Sequence, residues 1–329
     1  MDIGTGDDRV GRYFKNYLKD FVFVELSTEY MRKTGTTDML KGVPVPVRKE
    51  DFEKFRTGDG VSALALAGNM TWIMGIDPHF VHAQGYADFI DKLFEGKTCK
   101  ALVARGKEAA KTGAFDAACI FFRAALCVDR EYLNGMYNYA KICRAMYLGS
   151  DDPEYAGRFK AESIGCFELI TVKYPDFAKA HYYLGYVYAN MGLYLKAGLA
   201  WDEFLRLGGS DNERDEIKGR LRQIAGPIEI ERGCNMAISG RFEQGIEALA
   251  PFMDTQYKTW WPLPYYLGLC HSRLGMKEKA LGYFKNVLAL NGSHMETMEE
   301  LAEIYAAGND RKNEEKYRKK IEIISGNQN

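Results

Sequence analysis

Residues 184–204, with the sequence LGYVYANMGLYLKAGLAWDEF, contain two apolar helical patterns separated by a glycine. Leu184 begins the first pattern, Gly192 follows it, and Ala197 and Trp201 belong to the second. Apolar residues three or four positions apart lie on one face of a helix, and glycine commonly stands just past a helix end. The segment therefore predicts two antiparallel helices joined by a tight turn.

The same pattern returns further along the chain. Residues 267–287, LGLCHSRLGMKEKALGYFKNV, place Gly268, Gly275, Ala280 and Phe284 at the same offsets. One such helix pair cannot bury both of its apolar faces, whereas a stack of pairs can. The pattern therefore predicts a repeat protein.

The period of the repeat is measured between small residues that occupy the same place in successive copies. It is 34 residues from Gly106 to Ala140, 35 from Gly233 to Gly268 and 34 from Gly268 to Ala302. A constant period of this length is typical of stacked helix pairs.

Two longer separations indicate insertions. Ala140 and Gly185 are 45 residues apart, and Gly185 and Gly233 are 48 apart. The additional residues fall near 149–157 and 208–226. The second insertion is polar and amphipathic, which predicts one additional helix.

These spacings resemble the tetratricopeptide repeat (TPR) family, whose unit is a 34-residue helix-turn-helix. The resemblance implies an all-α, right-handed superhelical solenoid of about six helix pairs over residues 98–324. Its last pair is degenerate, with Asn309 at the turn. The resemblance also implies a non-catalytic scaffold that binds a protein or peptide in a concave groove, and composition with cysteine usage predicts a cytoplasmic location.

The first 97 residues lack the repeat. Their apolar spacing predicts a helix at 8–33, and the prolines of 42–47 favour an extended segment. Two more helices are expected, at 61–75 and at 78–95, the second with Pro78 in its first turn. This region is interpreted as a helical cap on the first repeat, or as a small domain with its own ligand.

Composition excludes several classes of function. The chain has 329 residues, with 44 Lys plus Arg against 45 Asp plus Glu and a net charge of −1. A balanced charge argues against binding by neutralisation of nucleic-acid phosphates. No apolar run is long enough to span a membrane, and the acidic start does not resemble a signal peptide. The seven cysteines form no C-x-x-C pair, so reduced, mostly buried thiols are expected.

No catalytic, cofactor or metal site is expected. His79 and His82 are three positions apart on a predicted helix, a spacing that can present two metal ligands. No third ligand completes that set, and no nucleophile has a histidine near it in a recognisable motif. Two other hypotheses remain open. One is a peptide-responsive regulator with an N-terminal nucleic-acid-binding domain, and the other is an enzyme-associated subunit.

The inner faces of the first helices are the predicted binding surface. In a solenoid, these faces line the groove. The candidate groove residues are Lys107, Asn134, Tyr137, Asn138, Lys141, Arg144, Lys179, Tyr182, Tyr186 and Asn190. They make the front of the groove basic and rich in tyrosine, which favours an acidic partner segment. The last repeat presents Glu296, Glu299, Glu300 and Glu303, interpreted as a solvated face.

Some TPR proteins hold the carboxylate end of a chaperone in a five-residue clamp. Asn138 and Lys179 match two clamp positions, whereas Val103, Lys107 and Tyr183 stand at the others. The resemblance therefore does not extend to chaperone-tail binding. The segment 260–264, WWPLP, is a second surface candidate because its prolines are expected to keep it from being helical. The identity of the partner and the oligomeric state stay open.

Overall fold

The structure is a computed structural model that describes residues 8–34, 37–56 and 61–326. The chain divides into two compact units, the first ending at Val187 and the second beginning at Tyr188.

The N-terminal region mixes short helices with two strands. In chain order its elements are β1 (Phe21–Val24), α1 (Thr28–Thr34), α2 (Thr37–Leu40), β2 (Val45–Arg48), α3 (Phe52–Arg56), α4 (Ala63–Ile76) and α5 (Ala83–Leu93). Short 3-10 turns lie at Gly11–Tyr13, Lys15–Asp20 and Lys49–Asp51.

The predicted helix at 8–33 is wrong. β1 pairs with β2 in antiparallel register, and Phe21 faces Arg48 while Phe23 faces Pro46. Two aromatic and two β-branched residues make β1 a good strand, and Pro44 just before β2 and Pro46 within it favour an extended backbone. This pairing joins distant segments, so a helical count of apolar residues cannot detect it.

The predicted helix at 78–95 begins later than expected. α5 starts at Ala83, and His82 is its N-cap residue. The carboxylate of Asp77 accepts a hydrogen bond from the backbone N–H of His79 at 3.0 Å, which stabilises a turn in place of a first helical turn. His79 and His82 therefore lie in this turn and not on one helix face.

The described residues from 98 onward contain twelve α-helices, which follow one another along the chain as six helix-turn-helix segments. They are α6 (Thr98–Lys111) with α7 (Phe115–Val128), α8 (Leu133–Leu148) with α9 (Pro153–Lys173), α10 (Ala178–Asn190) with α11 (Tyr194–Leu207), α12 (Asp211–Ile238) with α13 (Phe242–Leu249), α14 (Pro262–Arg273) with α15 (Lys277–Leu290), and α16 (Met295–Ala307) with α17 (Arg311–Gly326). The predicted helical repeat is confirmed.

Five of the six pairs share one turn geometry. The turn residues have positive φ values between 58° and 79°, and they are Gly113, Gly192, Gly240, Gly275 and Asn309. In each turn, the N–H of the next residue donates a hydrogen bond of 2.9 Å to the carbonyl five positions earlier. This bond satisfies a carbonyl at the helix end. The recurring glycines therefore mark the helix ends, as the sequence predicts.

Other small residues let the two helices of a pair approach closely. A Cβ atom on Gly106 would lie 2.5 Å from the ring of Phe122 in α7, and one on Gly268 would lie 2.8 Å from the ring of Phe284 in α15. Both rings are fully or almost fully buried. The large residue of the second helix thus occupies the space that the glycine of the first leaves open.

The additional residues of the two longer separations do not form separate elements. They lengthen helices of the repeat. α9 is 21 residues long and α12 is 28 residues long. The predicted additional helix within 208–226 is the first half of α12, which continues through Pro227. The capping box of Ser210 and Glu213 gives this long helix a defined start.

The N-terminal region packs on the first repeat through α4, which runs along α7. A Cβ atom on Gly75 would lie 2.2 Å from the backbone oxygen of Ile120, so this glycine permits the close approach. Arg123 of α7 is 1% exposed, and its Nε donates to the carbonyl oxygen of Gly75 at 2.6 Å.

Candidate functional site

Part of the predicted groove forms a cavity between α6 and α8, here called the basic cavity. Its volume is about 480 Å³. It is lined by Lys107, Ala110, Lys111, Phe115, Phe122, Tyr137, Asn138, Lys141, Ile142 and Ala145. Four of the ten candidate residues, Lys107, Tyr137, Asn138 and Lys141, therefore meet at one place.

Helical spacing explains why these four side chains converge. Lys107 and Lys111 lie one turn apart on α6, and Tyr137 and Lys141 lie one turn apart on α8. Residues four positions apart share a helix face. α6 and α8 are the first helices of adjacent pairs and contact each other, so their lysine faces border the same space.

The charges of the basic cavity are largely uncompensated. Lys111 pairs with Glu108 at 3.2 Å. Within the part of the chain that the structure describes, neither Lys107 nor Lys141 enters an ion pair. The Nζ atom of Lys141 lies 5.3 Å from the ring centre of Tyr137, a favourable cation–π distance. Both free ammonium groups are available to an acidic ligand.

The remaining lining is apolar or already hydrogen-bonded. Phe115 is 39% exposed although it is a large apolar residue, and Ile142 and Ala145 line the same cavity. Asn138 is 8% exposed, and its Nδ2 donates to the backbone oxygen of Asn134 at 2.6 Å. The cavity therefore joins a cationic rim to an apolar floor, and Asn134 contributes a backbone carbonyl that orients Asn138.

The other predicted residues of the first unit form an aromatic row beside this cavity. Tyr137 contacts Tyr183 with a centroid distance of 6.1 Å, and Tyr182 contacts both Tyr183 and Tyr186 at 5.2 Å. The Nζ of Lys179 lies 5.7 Å from the ring centre of Tyr182. The two contacts of Tyr182 are edge to face, an arrangement that aromatic pairs favour.

Arg144 lies where the basic cavity and the aromatic row adjoin. Its guanidinium carbon is 5.6 Å from the ring centre of Tyr183. Its Nε is buried and makes no hydrogen bond within the described residues. Asn190, the last of the ten candidates, is exposed and ends α10; it belongs to the second unit.

A second cavity adjoins the basic cavity and was not predicted from the sequence. It has a volume of about 510 Å³ and shares Phe115 and Ala145 with the basic cavity. Its other side chains include Tyr17, Trp72, Asp116 and Tyr155, so we call it the aromatic cavity. Because Tyr17 and Trp72 come from the region without the repeat, the repeat register contained no signal for them.

The aromatic cavity carries a fixed carboxylate. The hydroxyl of Tyr17 donates to Asp116 Oδ2 at 2.8 Å. Burial, together with this hydrogen bond and the negative charge of Asp116, raises the pKa of Tyr17 to about 12. Tyr17 therefore stays a neutral hydrogen-bond donor to Asp116 at physiological pH.

The acidic end of the chain is partly neutralised. Both terminal nitrogens of Arg273 donate to the carboxylate of Glu300, at 2.8 and 2.6 Å. Bidentate pairs of this kind have a fixed geometry. Glu300 is thus engaged within the second unit, while Glu296, Glu299 and Glu303 lie on the same helix, α16.

Two further sequence interpretations can be compared with the structure. Val103, which stands at one clamp position, is buried in the core and cannot reach a ligand. The expectation that 260–264 is not helical is wrong, because α14 begins at Pro262. Proline is tolerated in a first helical turn, where its missing N–H has no partner to lose. Trp260 and Trp261 are both half-buried.

Among residues 8–34, 37–56 and 61–326, no group of three or more His, Cys, Asp or Glu side chains could hold a metal ion. All seven cysteines are free thiols, and five of them are buried. Over the same residues, none of the helices combines the length and hydropathy needed to cross a membrane.

Comparison with known proteins gives structural neighbours alone. No family model matches the sequence, and no curated protein does. The chain is similar to the MamA RS-1 ArsTM double mutant, with 16% identity, coverage of 60% of this chain and 97% of that chain, and a TM-score of 0.34. It is also similar to the P58(IPK) TPR domain, with 18% identity, coverage of 68% of this chain and 59% of that chain, and a TM-score of 0.37. A tetratricopeptide repeat protein from Parabacteroides merdae ATCC 43184 has 14% identity, with coverage of 84% of this chain and 91% of that chain, and a TM-score of 0.30.

The class of the protein follows from its own helix pairs. The neighbours have identities below 20% and TM-scores below 0.5, so the class of fold does not rest on them. It rests on two features that recur within this chain: the hydrogen bond of the turns and the packing of a glycine against an aromatic ring. The chain is a protein of helical repeats, and its helix-turn-helix unit is similar to that of tetratricopeptide repeat structures.

Proposed function

We propose that the protein is a non-catalytic binding scaffold that holds an acidic segment of a partner protein in the basic cavity. The observation that carries the proposal is that Lys107 and Lys141 meet at one cavity and that neither has an ion-pair partner among the residues that the structure describes. An acidic segment supplies the missing charge. Electrostatic complementarity of this kind contributes specificity and fast association.

The apolar floor adds a second requirement for the partner. Phe115, which lines the cavity and is 39% exposed, offers surface that a hydrophobic side chain can cover. We therefore expect the bound segment to carry an apolar residue close to its acidic residues. The adjoining aromatic cavity extends the surface beyond Phe115, so the segment is expected to be several residues long and extended.

Selection from a displayed library of short random peptides tests this proposal. Peptides that the purified wild-type chain retains should be enriched in Asp and Glu next to a large apolar residue. Their affinity, measured by fluorescence anisotropy on labelled peptides, should fall as salt rises because salt screens exposed charges.

A pair of charge reversals locates the site. The double variant Lys107→Glu and Lys141→Glu should weaken binding of the selected peptides at least about tenfold, since charge-assisted contacts become repulsive. The matched control is Lys312→Glu with Lys319→Glu, which makes the same charge change on exposed lysines of α17. Equal affinity for both double variants would refute the basic cavity as the binding site.

The aromatic row needs a separate variant. Tyr182→Ala with Tyr186→Ala removes two rings that lie beyond the cavity lining. If the segment extends along α10, this variant weakens peptide binding while the helical circular dichroism stays unchanged. Unchanged binding would restrict the site to the basic and aromatic cavities.

A further inference from the structure

A third cavity lies where the N-terminal region meets the first repeat, apart from the basic cavity. Its volume is about 640 Å³, within the range of sites for small molecules. Its walls come from β2, α4, α5 and α6, and six of the lining residues are Arg48, Asn69, Trp72, Phe94, Leu102 and Arg105. It shares none of its lining residues with the basic cavity. We call it the arginine cavity.

Two arginines of this cavity flank an aromatic pair. The guanidinium carbon of Arg48 lies 5.4 Å from the ring centre of Trp72, and that of Arg105 lies 4.5 Å from the ring centre of Phe121. The rings of Trp72 and Phe121 meet edge to face at 6.1 Å. Stacking on a ring uses the face of a guanidinium and leaves the N–H donors around its edge available.

The positive charge of the two arginines is not compensated inside the protein. Within the described residues, Arg48 and Arg105 make no ion pair and no side-chain hydrogen bond. Asp51 also lines the cavity, but its carboxylate lies 3.7 Å from the ammonium group of Lys54. Two guanidinium groups that stack on rings and have no ion-pair partner among the described residues form a ready receptor for an anion, because arginine binds carboxylate or phosphate oxygens in pairs.

The other polar groups of the cavity are already used. Asn69 Nδ2 donates to the backbone oxygen of Pro46 at 3.1 Å, and the hydroxyl of Thr71 donates to the backbone oxygen of Ala67 at 2.8 Å. The hydroxyl of Ser62 accepts from the N–H of Ala65 at 3.1 Å. A ligand would therefore find its strongest polar contacts at the arginines.

The rest of the wall is apolar and partly uncovered. Leu64 lines the cavity with 63% of its surface exposed, and Phe94, Ala101 and Leu102 lie on the same wall. An exposed apolar wall next to fixed cations suits a molecule that has both an apolar body and an anionic head. An inorganic ion would leave this wall uncovered.

We propose that the arginine cavity binds a small amphipathic anion, with its anionic head at Arg48 and Arg105 and its apolar body along α4 and α6. The head is a carboxylate or a phosphate monoester, since both present paired oxygens to a guanidinium. The arginine cavity shares Trp72 with the aromatic cavity but no lining residue with the basic cavity, so its anion site is separate from Lys107 and Lys141.

A fluorescent anion tests the proposal on the full chain. The probe is 8-anilinonaphthalene-1-sulfonate, whose emission rises when its apolar rings leave water. One probe is expected to bind per chain, with saturation. Octanoate and octyl phosphate should each displace it, which compares the two head groups, whereas inorganic phosphate and octanol should not. Displacement by octanol as effective as by octanoate would overturn the role of the anion.

Two arginine variants and one control test whether the probe binds at Arg48 and Arg105. Arg105→Met and Arg48→Met each keep an apolar stem and remove the charge, so each should weaken probe binding about tenfold or more, as expected for the loss of a charge-assisted contact. Arg130→Met is the matched control because Arg130 is exposed and outside the cavity. If Arg48→Met unfolds the chain, Arg105→Met alone decides, since Arg105 is an exposed rim residue. Probe affinity unchanged in Arg105→Met refutes the proposal.

Discussion

Asp8 and Arg123 form a bidentate ion pair that joins the start of the described chain to the middle of α7. The two terminal nitrogens of Arg123 donate to the two carboxylate oxygens of Asp8, at 3.0 and 2.6 Å. Arg123 is nearly inaccessible to solvent, while the side chain of Asp8 is 23% exposed. The same guanidinium also donates to backbone oxygens at the end of α4. One buried cation thus connects three segments of the first unit.

Removal of the carboxylate should destabilise the first unit. Asp8→Ala leaves the buried charge of Arg123 without its counter-ion, and breaking a buried pair from one side costs about 3 kcal/mol. Urea unfolding followed by circular dichroism measures this loss. Asp151→Ala, at an exposed aspartate of the same unit, is the control and should change the unfolding free energy little. Arg123→Met in the Asp8→Ala background should recover part of the loss.

The same pair predicts an acid-sensitive contribution to stability. Burial raises the pKa of Asp8, but the hydrogen bonds and charge of Arg123 outweigh burial and hold this pKa below its ordinary value. A lowered pKa in the folded state means that the stabilisation is present above about pH 4, the unfolded value, and is lost as the pH falls through the folded value. The difference in unfolding free energy between wild type and Asp8→Asn should therefore shrink below about pH 4. A constant difference would contradict the ion pair.

Two glycines in one helix pair should respond oppositely to alanine. A Cβ atom on Gly268 would lie 2.8 Å from the buried ring of Phe284, whereas nothing lies within 4 Å of one on Gly282. Gly268→Ala should cost about 1–3 kcal/mol through overpacking. Gly282→Ala should raise the unfolding free energy by about 0.5–1 kcal/mol, because alanine is the better helix former. The same sign for both variants would disprove this account of the pair.

The thiols should be unreactive in the folded chain. Cys99 and Cys127 are half-buried, whereas the other five cysteines are buried. Burial raises the pKa of Cys99 to about 11 and that of Cys127 to about 12. Since the thiolate is the reactive form, Ellman's reagent at about pH 8 should modify the native protein slowly and the denatured protein completely. Rapid modification of the folded chain would show that these two thiols are accessible and ionised.

The repeat was predictable because its determinants are local. Gly192 and Gly275 stand at helix ends where a positive φ is needed, and Gly268 stands where a ring must fit. Each requirement recurs at a fixed spacing, so the sequence displays it directly. The same register placed Lys107 and Lys141 on facing helices, and the basic cavity follows from that placement.

The missed features depend on contacts between distant segments. The pairing of Phe23 with Pro46 cannot be read from spacing within either segment. Likewise, Tyr17 and Trp72 reach the aromatic cavity because α4 packs on α7, and the repeat register contains no information on that packing. Arg48 and Arg105 meet at one cavity for the same reason.

The long helix α12 gives the last prediction, because it continues through a residue pair that usually ends a helix. Pro227 lacks the N–H that would bond the preceding turn, and its ring crowds that turn. Gly226 beside it leaves room for Tyr257, whose ring would lie 2.6 Å from a Cβ atom at that position. Pro227→Ala should therefore raise the free energy of unfolding, by up to about 3 kcal/mol, when urea unfolding is followed by helical circular dichroism. Gly226→Ala should lower it because the methyl group meets the ring of Tyr257. A destabilised Pro227→Ala variant would instead mean that the proline is needed for the path of the helix.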